Sequence, residues 1–335
     1  MAKRKKKKTK SLTISEKFLH YLVWILAAIA SFLVLFLVGY YVGYGSAKKD
    51  IAMQLEKKEQ QKKEALTKLQ KVVTQKNSLN KKLEYILKKE QKKHDITALH
   101  EVEDKRVFKQ RRVRVVHTNV KKPKLAIIFD DVSFDSHVKA IKALGLRVTM
   151  SFFPPSTIHP KTPKLASREP FYMVHLPMEA LHFHKEEPFT LRANDSKATI
   201  QNQIAKIKKL FPRVGYINNH TGSKFTANYS AVKKLIAVLD ANNIQFIDSR
   251  TTAQTKLPKL MQELHRPYMA RDVFLDHKGD VASIVKQIKE AVKIARRYGS
   301  AIAIGHPHVN TIEALAKSKK LLQEVELVYV YELPK

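Results

Sequence analysis

The 335-residue chain carries 63 Lys+Arg against 30 Asp+Glu, a formal charge of +33, and no cysteine. That length holds one large domain or two small ones with extra segments, and the missing thiols exclude disulfides and thiolate metal sites. A basic balance points to an anionic partner. No paired Cys/His zinc spacing and no aromatic RNP-like strand is present, so nucleic acid is not the expected one. The charge is uneven: residues 1–122 hold 31 Lys+Arg and 11 Asp+Glu, leaving 32 and 19 for residues 123–335.

In chain order, residues 1–17 read as a basic cytoplasmic tail, with seven cations in "MAKRKKKKTK". Residues 18–45 read as a membrane anchor. Its core, Tyr21 to Val42, is 22 residues without a charge, long enough to cross roughly 30 Å of hydrocarbon and longer than a signal-peptide core. Tyr40, Tyr41 and Tyr44 fall where an aromatic interface belt would lie. Eight Lys/Arg precede the span and six fall between Ser46 and Lys63. The expected topology is therefore a single pass through the inner membrane, N-terminus cytoplasmic, with the C-terminal domain periplasmic. Residues 46–95 read as a helical stalk or weak coiled coil. Apolar residues recur at Ala65, Leu69, Val72, Leu79, Leu83 and Ile86, while Lys62 and Lys76 occupy seam positions. A coiled-coil partner or homodimer and a solvated single helix are the two outcomes of that pattern. Residues 96–122 read as a basic linker.

From Lys124 the texture changes. The β-rich runs "LAIIFD", "RVTMSFF", "FYMVHL", "VGYINN", "IQFID", "DVFLD", "AIAIG" and "LVYVYEL" alternate with amphipathic stretches such as "DSHVKAIKALG", "NYSAVKKLIAVLDANN" and "VASIVKQIKEAVKIARRYG". Near-continuous apolar strands indicate a parallel sheet covered on both faces. The expected fold class is α/β, a distorted (β/α) barrel of 7–8 strands, with a doubly wound open sheet as competitor. A barrel collects its chemistry at the C-terminal ends of the strands. Those ends carry Asp130 and Asp131, then His175, then Asn218, Asn219 and His220. Asp248 and Arg250 follow; Arg271, Asp272 and Asp276 flank the sixth strand; His306 and His308 close the series.

Asp130 and Asp131 are two adjacent acids in a cationic chain, and Ser133 and Asp135 suffice to cap the next helix. One carboxylate on a divalent cation and the other left as a base would relieve their repulsion. His175 in "MVHLPMEA" and His220 in "NNHTGS" share that face. His306 in "IAIGHPH" is expected to be exposed and suits a general acid, with His308, His182 and His184 at the rim. Oxygen and imidazole ligands without thiolates favour zinc or another first-row divalent ion in an open site. No Gly-rich phosphate loop and no G-x-S-x-G elbow is present.

The ordered set "IIFDDV", "HLPMEA", "NNHTGSKFT", "FIDSRTT", "RDVFLDH" and "AIGHPH" resembles the divergent polysaccharide deacetylases, a branch of the carbohydrate esterase deacetylase superfamily. The resemblance spans residues 123–335. It implies a distorted barrel with a divalent metal, zinc by preference, held by one Asp and two His. By that resemblance Asp130 is the base, Asp131 and His175 are metal ligands, and His306 is the acid. The superfamily's second motif has two histidines four apart. Glu179 stands at the second position here, so His220 would supply the missing ligand. Val132 and Ser133 replace the glycine usual after the Asp pair. Asn219, Asp248 and Arg271 are expected to orient substrate or its neighbours. The implied activity is removal of acetyl groups from an envelope polysaccharide or peptidoglycan-like glycan. The competing expectation is a catalytically silent glycan-binding scaffold that recruits a partner through the stalk.

Overall fold

In a parallel strand, alternate side chains face opposite sides of the sheet, and from Leu125 to Phe129 both sides are apolar. Such a strand needs packing on each face. The computed structural model, which describes residues 16–94, 122–182 and 186–334, places it at the centre of the sheet. The expected basic tail, apart from Glu16 and Lys17, most of the linker, and His184 lie outside the described residues.

Eight strands occur among the described residues: β1 (Lys124–Val132), β2 (Thr149–Phe152), β3 (Tyr172–Met178), β4 (Tyr216–Thr221), β5 (Gln245–Ile247), β6 (Val273–Phe274), β7 (Ser300–Gly305) and β8 (Glu326–Leu327). All pairings are parallel, in the order β5-β4-β3-β2-β1-β7-β6. One edge of β1 pairs with β7 from Lys124 to Phe129. The other is shared, β8 taking Lys124 and Leu125 and β2 taking Ile128 to Val132. A single bridge, Asp248 to Ala270, joins the segment after β5 to the segment before β6. The sheet therefore curls into an incomplete barrel, and the open-sheet alternative is set aside.

Ten α-helices accompany the strands among the described residues: α1 (Glu16–His94), α2 (Asp135–Ala143), α3 (Thr162–Ala166), α4 (Lys197–Leu210), α5 (Ser223–Thr226), α6 (Tyr229–Ala241), α7 (Leu257–Glu263), α8 (Val281–Tyr298), α9 (Val309–Lys317) and α10 (Lys319–Leu322). Helix α4 was not among the quoted amphipathic stretches, although Ile200, Ile204 and Ile207 recur at helical spacing and are buried. Ser196, Asn228 and Asp280 cap α4, α6 and α8 with side-chain oxygens. The expected caps of α2 are not used. Phe134 holds the N-cap position, and the Ser133 hydroxyl donates to the Asp131 carbonyl at 3.0 Å.

The pleat sorts the barrel into two environments. Leu125, Ile127, Phe129, Val174, Leu176, Ile217, Ala301 and Ala303 belong to the core between sheet and helices. Their neighbours Ala126, Ile128, Met173, Tyr216, Ile302 and Ile304 form a second cluster inside the barrel. Val328, Val330 and Leu333 join that inner cluster. "LVYVYEL" is thus only briefly a strand: after Leu327 it becomes a short 3-10 turn, Val330–Glu332, that floors the barrel.

Two compact units divide the chain, residues 1–78 and 79–335. Helix α1 runs for 79 residues, uninterrupted at Gly39, Gly43 or Gly45. Its apolar part is exposed and, by length and composition, is the one candidate membrane span among the described residues. The seam residues Leu69, Val72, Leu79, Leu83 and Ile86 lie outside the described side chains.

Candidate metal and acid–base site

Continuing each strand's inward-facing parity upward replaces apolar residues by polar ones. Asp130 follows Ala126 and Ile128, His175 follows Met173, Asn218 and His220 follow Tyr216, and His306 follows Ile302 and Ile304. These residues lie within the strands or next to them, and all five are buried. The alternation breaks at Asp131, which the pleat would turn toward the helices. There the register shifts between Phe129 and Val132, and Asp131 adopts φ 57°. Non-glycine residues rarely occupy that region, and such strain gathers at functional sites. The bulge turns Asp131 inward beside Asp130. Thr221 (φ 49°), the last residue of β4, and Arg250 (φ 52°), three residues past β5, adopt the same conformation.

Three atoms form a nearly equilateral triangle. Asp131 Oδ1 lies 3.3 Å from His175 Nε2 and 3.2 Å from His220 Nδ1, and the two nitrogens are 3.3 Å apart. Tetrahedral ligands with bonds of about 2.0–2.1 Å are separated by about 3.3–3.4 Å, so the triangle fits one face of a four-coordinate ion. Asp131 Oδ1 is buried and makes no hydrogen bond, as an atom reserved for a cation would. Two imidazoles and a carboxylate suit zinc and similar divalent ions. Phe153 packs its ring 4.7 Å from that of His220 and 5.5 Å from that of His175, covering the ligands on one side.

Asp130 and His306 flank the triangle. Asp130 Oδ2 lies 3.6 Å from His175 Nδ1. Burial pushes the Asp130 carboxyl above the usual range, against the pull of His175, His306 and Asn218. For Asp131 burial acts in the same direction but loses: His220 and His175 hold it well below that range. The adjacent acids are thereby made unequal. His175 is raised because Asp130 and Asp131 outweigh its burial.

His306 is buried, not exposed as expected. Its Nδ1 lies 3.0 Å from Asp276 Oδ1 and its backbone N–H donates to Asp276 Oδ2 at 2.6 Å. Burial alone would lower the imidazole, yet the Asp276 carboxylate lifts it to about 9. With Nδ1 committed to Asp276, Nε2 faces the pocket, 4.0 Å from Asp131 Oδ2. Asp276, His306 and His308 also form a carboxylate–imidazole group of metal-binding geometry. Both Asp276 oxygens already accept hydrogen bonds, the second also from Thr311 Oγ1 at 2.8 Å. Their arrangement is that of an orienting dyad. By sequence Asp276 is only a residue flanking the sixth strand, with nothing to pair it with His306.

The remaining expected residues take supporting places. Asn219 is buried; it accepts from the Ser249 backbone N–H at 2.8 Å and donates to the Thr221 carbonyl at 2.6 Å. Asp248 accepts from Tyr268 OH, Thr255 Oγ1 and the Arg250 N–H, which ties down the loop after β5. Arg271 donates to the carbonyls of Ser249 and Arg250 and lies over the Phe274 ring. A cavity of about 40 Å³ is lined by Asp130, His175, His220, Ser249, Arg271 and His306, among others. Glu179 is not part of it. Its carboxylate accepts from the Ala193 N–H at 2.9 Å and pairs with Lys224 at 2.7 Å.

Asn218, not Asn219, contacts the Asp130 carboxylate. Its Nδ2 lies 2.9 Å from both Asp130 oxygens and 3.0 Å from Ser249 Oγ. The signal was available: in "NNH" Asn218, two residues before His220, shares its face, whereas Asn219 does not.

An incomplete parallel (β/α) barrel with this pocket at its C-terminal face is a deacetylase-like hydrolase domain. Its fold matches the crystal structure of an uncharacterized protein from Agrobacterium tumefaciens C58, with a TM-score of 0.55 and 23% identity over 64% of this chain and 90% of that one. The chain belongs to the divergent polysaccharide deacetylase family, whose sequence pattern matches residues 127–333. It is 31% identical over 210 residues to an uncharacterized Haemophilus influenzae protein, covering 61% of this chain and 74% of that protein. It is also 34% identical over 197 residues to the uncharacterized protein YibQ of Escherichia coli K12, covering 57% and 61%.

Proposed function

We propose that this protein is a membrane-anchored, metal-dependent deacetylase acting on N-acetyl groups of an envelope glycan. The observation that carries this reading is the Asp131–His175–His220 triangle with a buried carboxylate on one side and an imidazole on the other. Asp131, His175 and His220 would hold the ion, preferably zinc, which when bound supplies Lewis-acid polarisation of a carbonyl and acidifies water. Asp130 takes the proton of the attacking water. Protonated His306 directs its Nε2–H at the departing amine, while Asp276 fixes the tautomer and keeps the imidazole charged. The reaction consumes an acetamide and water and yields acetate and an amine.

Residues 18–45 would anchor the enzyme in the inner membrane with the barrel outside, and residues 46–95 would space it from the bilayer, alone or as a coiled coil. Glu179 at the second motif position would by itself suit a silent scaffold, but His220 offers its imidazole at the third corner of the triangle. The test uses full-length protein in detergent with one equivalent of zinc and N-acetylglucosamine oligomers, and follows acetate release. O-acetylated oligomers serve as the second substrate. Stoichiometric zinc binding and acetate release are expected; no zinc and no acetate from either substrate would sink the proposal.

A further inference from the structure

We infer that Asn218 is a positioning residue for Asp130, and that Ser151 sets the direction in which its amide points. The inference rests on the deacetylase reading for the purpose of that positioning, since Asp130 is the base there. Its structural content is independent of it.

Asn218 and Ser151 are both fully buried, and Asp130 is 2% exposed. The Asn218 Nδ2 is equidistant, at 2.9 Å, from the two Asp130 oxygens and lies 3.0 Å from Ser249 Oγ. An amide nitrogen has two hydrogens, so one serves Ser249 and the other straddles the Asp130 carboxylate. On the opposite side Ser151 Oγ donates to Asn218 Oδ1 at 2.6 Å. That short bond decides which end of the amide faces Asp130. With the ends exchanged, an oxygen would confront a carboxylate and the hydroxyl would lose its acceptor.

The arrangement answers a problem specific to this site. Asp130 directly precedes the strained Asp131, where the β1–β2 register is broken, so regular pairing with β2 does not hold it. Asn218 on β4 reaches it from across the barrel instead, and is itself held by Ser151 on β2. Of the triangle's three corners Asn218 bonds neither Asp131 nor His220 and touches His175 alone, whose charged form it favours. Its removal therefore frees the base without unseating Asp131 or His220. Angular freedom in a catalytic group can cost about 100-fold in rate.

The experiment compares unsubstituted protein with Asn218→Ala and the milder Ser151→Ala, each full-length in detergent. Zinc affinity, kcat and KM on N-acetylglucosamine oligomers are measured, together with crystal structures of both zinc-loaded variants. For Asn218→Ala, kcat should fall about 100-fold, and for Ser151→Ala about 10-fold, with KM and zinc affinity held within about twofold in both. The crystal structures should show the Asp130 carboxylate rotated from its present place. A kcat loss matched by equal loss of zinc affinity means a merely structural role and overturns the inference. So does an Asp130 that stays in place in both variants. If unsubstituted protein releases no acetate, the deacetylase reading fails, and the position of Asp130 in the variants still decides whether Asn218 holds it.

Discussion

His306 and Asp276 stand 3.0 Å apart with side chains 5% and 1% exposed, so each titrates in surroundings the other dominates. Burial opposes both charges, but the attraction wins: Asp276 is held down at about 2 and His306 is lifted to about 9. A raised histidine stabilises the fold fully below its unfolded value of 6.5 and loses that contribution as pH climbs through about 9. A depressed carboxylate contributes above its ordinary 3.8 and loses it as pH falls toward about 2. Their shared window therefore runs from about pH 4 to about pH 6.5. In metal-free protein, stability from this pair should decline by about 3 kcal/mol as pH rises from 6.5 through about 9 and His306 deprotonates. Urea midpoints across that range measure it. Asp276→Asn should flatten the decline; an unchanged slope would show that another group governs it.

At the scale of elements, the loop after β4 carries the tightest constraint. Gly222 has φ 93°, and a Cβ there would sit 2.8 Å from Met178 Cβ on β3. Gly222→Ala combines a disfavoured backbone with a clash between β3 and β4, and should destabilise by about 2–4 kcal/mol in urea unfolding. Glu179 acts on the same two strands. It binds Lys224 and the Ala193 N–H, and its backbone carbonyl accepts from Lys224 and Phe225. Glu179→Ala should cost about 1 kcal/mol and leave zinc stoichiometry intact, whereas His220→Ala should abolish tight binding. Isothermal titration with zinc separates them, and loss of zinc in Glu179→Ala would return Glu179 to the ligand set. Much of this was legible before the structure. The apolar runs marked β1, β2, β3, β4 and β7 because strands buried on both faces have few polar positions to blur them. The pocket histidines were legible because a charged or imidazole side chain ending such a run has few structural uses. Asp276 was harder to read as the partner of His306, since their contact joins residues 30 apart across two strands. Asp131 was legible as an acid but not as a bulge, because no glycine announces its positive φ.

Across the whole molecule, the barrel depends on a segment that the strand pattern alone misreads. "LVYVYEL" has strand composition, yet only its first residue, Leu327, pairs with β1, beside the preceding Glu326. The edge of β1 that β8 uses passes to β2 from Ile128, so the chain has no further ladder to follow. It turns beneath the barrel and delivers Val328, Val330 and Leu333 to the inner cluster of Ile128, Met173, Tyr216 and Ile302. The polar pocket occupies the other end of the same interior, so water entering from below would meet the apolar layer that supports it. Burying one such side chain contributes about 1.5–3 kcal/mol, and three together approach the total stability of an ordinary domain, about 5–15 kcal/mol. Truncation after Leu327 should therefore leave the barrel unfolded and rapidly digested by protease. Val330→Ala is the graded test: it should cost about 2 kcal/mol, lower the urea midpoint and leave zinc stoichiometry unchanged, because Asp131, His175 and His220 lie in the upper layer. If the truncated protein keeps its protease resistance and its zinc, the C-terminal segment is an ornament on the barrel and not its floor.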